Sequence, residues 1–137
     1  APASAPSTST AALDFEVFKT RIQPIFLAKR EGLARCYVCH SQGTNFRLQT
    51  LAQGATSWTD EQSRLNFGAV QRLVVPGDPS SSRLLMLPLA EEAGGDPFHP
   101  GGKHWNSFLD PEWQTIANWV CGRKASEKIV ELTGACE

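Results

Sequence analysis

The chain is short of several things, and each shortage narrows what it can be. It lacks an excess of either charge: 13 Lys and Arg stand against 14 Asp and Glu, a formal net charge of −1. A nucleic-acid backbone or an anionic bilayer selects for a basic surface, so the balance argues against either as main partner. Long apolar runs are missing too, and none approaches the roughly 18 residues that cross a bilayer. The opening APASAPSTSTAA lacks the basic-then-apolar pattern of a secretory leader and reads as a mature or trimmed N-terminus. No internal repeat is visible, and no pair of alternating apolar and polar runs reads as paired strands. Methionine occurs once, at Met86.

What is present is a chain of 137 residues, 41% hydrophobic, which suits one domain with one core. Residues 1–12 are only Ala, Pro, Ser, Thr and read as a flexible tail or linker, leaving 13–137 as the domain. Asp14 is placed to cap a helix carrying Phe15, Phe18, Ile22 and Ile25 on one stripe. Pro24 falls inside that pattern and is expected to kink or split the helix near Gln23. Thr59 and Gln62 have the capping-box spacing, ahead of a helix of about four turns that turns Leu65, Ala69, Val70 and Leu73 inward. Asp78-Pro79 and Asp110-Pro111 each read as an N-cap followed by a first-turn proline. The first starts a short helix through Met86, ended by Pro88. The second starts a helix with Trp113, Ile116, Ala117 and Val120 on one face and Gly122 as its stop. The fold class expected is all-α, about four to five helices joined by loops. One of those loops, 91–109, is long and glycine-rich, and such loops usually have a task.

The four cysteines are Cys36, Cys39, Cys121 and Cys136. The first two belong to Cys36-Tyr37-Val38-Cys39-His40, a C-x-x-C-H sequence. Three chemistries use closely spaced cysteines. A structural zinc site needs four ligands, and Cys121 and Cys136 do not form a second C-x-x-C. A redox-active dithiol is expected after a strand in a βαβ unit, whereas the residues before Cys36 are helical in pattern. Covalent haem c uses all three residues: two thiols add to the porphyrin vinyl groups and the histidine turns onto the iron. Cys36 and Cys39 are then the thioether anchors and His40 the proximal ligand. Cys121 and Cys136 form an even pair, expected as a disulfide in an oxidising compartment. A bridge closing about 15 residues contributes about 3 kcal/mol in the chain-entropy account.

The second axial ligand has three candidates. Met86 sits among leucines and reads equally as an ordinary core residue. His99 lies in the long loop, where Pro100 favours extended backbone and Gly101 and Gly102 allow close approach to a flat macrocycle. His104 is third, and reads also as a propionate cap or a surface residue. Methionine as partner to His40 raises the reduction potential, while two imidazoles leave it lower.

The helix with an internal proline leading into C-x-x-C-H, then VVPGDPSSSRLL, then HPGGKHW, then DPEWQTIANWV, resembles the planctomycete-type cytochrome c domain. The resemblance covers about residues 14–122 and implies the class I cytochrome c fold around one covalent haem. It also implies His99, in the H-x-GG segment, as distal ligand and Met86 as an apolar site. Residues 123–137 have no counterpart in it. Trp58, Trp105, Trp113 and Trp119 are read as porphyrin packing, propionate donors or plain core. Arg47, Arg72, Arg83 and Lys103 are read as propionate partners or solvated charges.

The function expected is extracytoplasmic, periplasmic electron transfer: one-electron Fe(III)/Fe(II) exchange with a redox partner protein, without enzyme activity of its own. The N-terminal tail suggests a tether to a membrane anchor or to a larger redox enzyme. The competing expectations are a haem enzyme or gas sensor with an open distal position and, further off, a zinc or dithiol module.

Overall fold

The structure is a computed structural model, and it describes residues 12–28, 47–95 and 103–136. Among them the regular structure is helical, and there is no strand, only one isolated parallel bridge between Leu89 and Trp105. The chain is all-α to that extent.

The first helical run starts where Asp14 accepts a bond from the Val17 N–H at 2.9 Å. It comprises α1 (Phe15–Val17), a π-helical turn (Phe18–Ile22) and α2 (Gln23–Leu27). The expected kink or split at Pro24 is replaced by this wide turn. A proline inside a helix collides with the carbonyl four residues back, here Thr20, and cannot donate. Closing the preceding turn from the Gln23 N–H to the Phe18 carbonyl inserts one extra residue and lets the helical path continue.

Helix α3 (Asp60–Gln71) opens with both bonds of the capping box: Gln62 N–H to Thr59 Oγ1 at 3.1 Å, and Thr59 N–H to Gln62 Oε1 at 3.1 Å. Its buried face is only partly the one expected. Val70 is fully buried as expected, but Leu65 is 57% exposed, and the other buried positions are the polar Ser63 and Asn66. They are satisfied by a residue far away in sequence: Gln23 donates to Ser63 Oγ and accepts from Asn66 Nδ2, both at 2.8 Å. Ala69 and Leu73 are half-buried.

The expected single helix from Pro79 to Met86 is two pieces, a 3₁₀ turn (Pro79–Ser81) and α4 (Arg83–Met86). Ser82 separates them with extended backbone. Its buried hydroxyl accepts from Val75 N–H and donates to the Asp78 carbonyl, both at 2.9 Å, which ties the VVPGDP turn together. Asp78 makes no backbone cap. A second 3₁₀ turn spans Glu91–Ala93.

Helix α5 (Pro111–Val120) starts at Asp110, whose carboxylate accepts from Glu112 N–H at 2.9 Å. Trp113, Ile116, Ala117 and Val120 are buried as expected, and so are Gln114, Asn118 and Trp119. The helix stops at Gly122, whose φ of +87° suits a residue without Cβ. The core forms where α5 meets the first helical run: Phe18 lies 5.5 Å from Trp119 and 5.3 Å from Phe67, centroid to centroid. The chain then turns back without regular structure: residues 130–132 run antiparallel to α5, and beyond Leu132 the chain folds back towards Cys121. The Sγ atoms of Cys121 and Cys136 are 2.04 Å apart, a disulfide that holds this return segment to the end of α5.

Candidate functional site

Cys36, Cys39, His40 and His99 lie outside the described residues. The structure describes the residues that flank their two segments. The segment with C-x-x-C-H lies between α2 and Arg47-Leu48 in the sequence, and its two flanks meet in one buried polar cluster. Gln23 in α2 bonds to Ser63 and Asn66, and Asn66 Oδ1 accepts from Gln49 N–H at 2.7 Å on the other flank. Leu48 is fully buried beside it. Each amide therefore bridges elements more than ten residues apart. A buried polar group left without its partner costs about 1–3 kcal/mol, so the cluster fixes both flanks in register.

The residues that flank the segment with His99 are bonded in a similar way. Before it, Gly95 N–H donates to the Ala90 carbonyl at 3.0 Å. A Cβ built on Gly95 would lie 1.9 Å from the Leu89 carbonyl oxygen, so only glycine fits there. The residues after the segment bond to the same short stretch. His104 and Trp105 N–H both donate to the Pro88 carbonyl, at 2.7 and 3.1 Å, and Ala90 N–H donates to the Trp105 carbonyl at 2.8 Å. Lys103 Nζ reaches the Leu87 carbonyl at 2.8 Å. The residues on both flanks, Gly95 and 103–105, are thus bonded to residues 87–90, immediately after α4.

Met86 closes α4 beside this stem. It is half-buried and packs against the core. His104 is not a surface residue: it is 8% exposed. Its Nε2 is 3.3 Å from Glu112 Oε1 but is not aligned for a hydrogen bond, and that oxygen accepts from Trp105 Nε1 at 3.0 Å. Nε2 has no hydrogen-bond partner among the described residues. Glu112 was not singled out in the sequence. Its position in the first turn of a capped helix, accepting from the Trp of HPGGKHW seven residues earlier, has no signal in helix periodicity.

All four indole N–H groups have protein acceptors: Trp58 with Gln49 O at 2.7 Å, Trp105 with Glu112, Trp113 with Leu85 O at 3.1 Å, Trp119 with Asp14 O at 2.9 Å. All four side chains are buried. They stitch loops to helices, and the core reading accounts for each of them. Arg47, Arg72 and Arg83 are exposed, and Lys103 is engaged by Leu87. Among the described residues no group of three His, Cys, Asp or Glu is placed to hold a metal ion, and no helix is long and apolar enough to cross a membrane.

Comparison with protein-family models, with curated proteins and with solved structures gives no match for this chain.

Proposed function

We propose that the chain is an extracytoplasmic electron-transfer protein that carries one covalent haem c. One observation carries the reading, the Cys36-x-x-Cys39-His40 pentapeptide. The donor set fits the group: two thiols suit two vinyl carbons, and an adjacent imidazole suits the iron. The residues that flank the two segments with candidate ligands are separately pinned, by the Gln23–Asn66–Gln49 cluster and by residues 87–90, which suits ligands kept in fixed positions. Apolar surroundings would tune such a redox centre.

In this reading Cys36 and Cys39 hold the porphyrin and His40 is the proximal ligand. His99 is the distal ligand. The alternatives are Met86, whose side chain packs against the core, and His104, whose buried Nε2 has no hydrogen-bond partner among the described residues. When bound, the haem supplies reversible one-electron exchange between Fe(III) and Fe(II). The protein's part is to keep two ligands in fixed positions, so that the coordination shell changes little between the two states, and to exclude water. The cysteine usage fits an oxidising compartment, where haem c and disulfides both persist. The class I cytochrome c fold is part of the same proposal.

The test is a mass measurement and a visible and near-infrared spectrum of protein exported together with a haem-attachment system. The expected result is one haem per chain, a low-spin Soret spectrum and no near-infrared band from a methionine–iron bond. His99→Ala then changes the spin state and Met86→Ala leaves it unchanged. A chain that weighs only its amino acids and shows no Soret absorption ends the proposal.

A further inference from the structure

The return segment, which lies outside the family resemblance, is held by an arrangement that has nothing to do with a helix or a sheet. Gln114 and Asn118, one turn apart on α5, each present a side-chain amide to its backbone. Gln114 Nε2 donates to the Leu132 carbonyl at 2.7 Å and its Oε1 accepts from Leu132 N–H at 2.8 Å. Asn118 Nδ2 donates to the Val130 carbonyl at 2.8 Å and its Oδ1 accepts from Val130 N–H at 3.0 Å. The geometry explains the match. Four residues of helix rise about 6.0 Å, and two residues of extended chain rise about 6.6 Å. Two amides at i and i+4 therefore meet backbone groups at j and j−2, and the pairing mimics a strand partner.

The register is unique. A slip by one residue would turn Leu132, which is 2% exposed, out of the core. Beyond Leu132 the segment stays in contact with the turn before α4: Ser80 N–H donates to the Gly134 carbonyl at 3.3 Å, and a Cβ on Gly134 would lie 3.3 Å from Ser80 Cβ. Cys136 then arrives at Cys121, with the two Cα atoms 5.6 Å apart. Among the described residues, the groups that hold this path belong to α5, the 74–82 turn and the return segment, with Gln114 Nε2 also donating to the Phe108 carbonyl at 2.7 Å.

We propose that the Gln114–Asn118 amide ladder selects Cys136 as the partner of Cys121 during oxidative folding, before and without haem. The four thiols are thereby sorted into one disulfide and one pair left for the porphyrin. The step is a thiol–disulfide exchange with an external disulfide. The Cys121–Cys136 bond forms, the oxidant's S–S bond breaks, and the oxidant takes two electrons and two protons to leave as two thiols. Two cysteine pairs can be connected in three ways, so the selection matters to any chain that needs one pair free. The part of the claim about Cys36 and Cys39 rests on the haem c reading; the ladder does not.

The experiment uses the full chain made without haem attachment, fully reduced, then equilibrated in graded mixtures of reduced and oxidised glutathione. Alkylation and peptide mapping give the effective concentration of the Cys121–Cys136 pair. We expect it to be at least about tenfold higher in buffer than in concentrated guanidinium chloride, and to fall about tenfold in Gln114→Leu/Asn118→Leu. If that double variant loses helical circular dichroism, Asn118→Ala provides the comparison with the Gln114 bonds in place. Equal values in buffer and denaturant, or an undiminished value in the variants, overturn the ladder. Disulfides joining Cys36 or Cys39 to Cys121 or Cys136 as a main product in the wild type overturn the sorting. Failure of the haem reading shows separately, as a matured protein with the 121–136 disulfide and no Soret band.

Discussion

Gly95→Ala is the most demanding test of the stem at residues 87–90. The new Cβ would sit 1.9 Å from the Leu89 carbonyl oxygen, 2.6 Å from its carbon and 2.9 Å from the Met86 carbonyl oxygen. All three are backbone atoms, so no side chain can swing aside. Ordinary contact begins near 3.4 Å, and the strand of chain must move by the difference, about 1.5 Å. That displacement opens the Gly95–Ala90 bond and pulls on the Ala90–Trp105 bond, which stand at 3.0 and 2.8 Å. Two bonds at about 1 kcal/mol each, offset by about 0.5 kcal/mol from the stiffer unfolded chain, give a net loss of about 1.5 kcal/mol. For a domain of this size that lowers Tm by about 5 °C. Thermal unfolding followed by far-ultraviolet circular dichroism measures it. A Tm within about 1 °C of wild type would show that this stem is not packed as described.

Three further outcomes are expected. Leu65→Ala changes stability by less than about 0.5 kcal/mol, whereas Val70→Ala, at a fully buried position of the same helix, costs about 2 kcal/mol, read as separate denaturant midpoints. Gly68→Ala, exposed in mid-helix with nothing within 4 Å of its Cβ, raises stability by about 0.5–1 kcal/mol. Asp60 is held below its ordinary value of 3.8, first by its hydrogen bond from Lys19 and then by that from Arg64. A depressed carboxyl stabilises the fold above its unfolded value and loses that contribution as pH falls through the folded one. The Tm advantage of wild type over Asp60→Asn is therefore present at neutral pH, vanishes below 3.8, and shrinks with added salt because the group is exposed. A constant difference across that range would refute it.

The sequence spoke plainly wherever one residue satisfies its neighbours. Asp14, Thr59 with Gln62, and Asp110 are caps whose bonds span two or three residues, and each is found as read. Gly122 stops α5 for the same local reason. Reading failed where the partner is distant. The inward face of α3 carries Ser63 and Asn66 because Gln23, about forty residues earlier, supplies their bonds. Apolar periodicity found Val70 but also pointed to Leu65, which is exposed. Ser82 interrupts the 79–86 helix because its hydroxyl serves Val75 and Asp78. The C-x-x-C-H pattern lies outside the described residues, and the bonds of Gln23, Gln49 and Asn66 that flank its segment join residues too far apart in sequence for any local pattern to signal. A signal for the return segment did exist. Two amides four residues apart on an otherwise apolar helix, followed by Val130-x-Leu132, ask for an extended partner.

The anchoring on residues 87–90 has an architectural corollary. The Pro88 and Ala90 carbonyls receive bonds from His104 and Trp105 on one side and from Gly95 on the other, so two parts of the chain share one short backbone anchor. A change that shifts this anchor disturbs both at once, and substitutions at Gly95 and Trp105 are expected to combine non-additively.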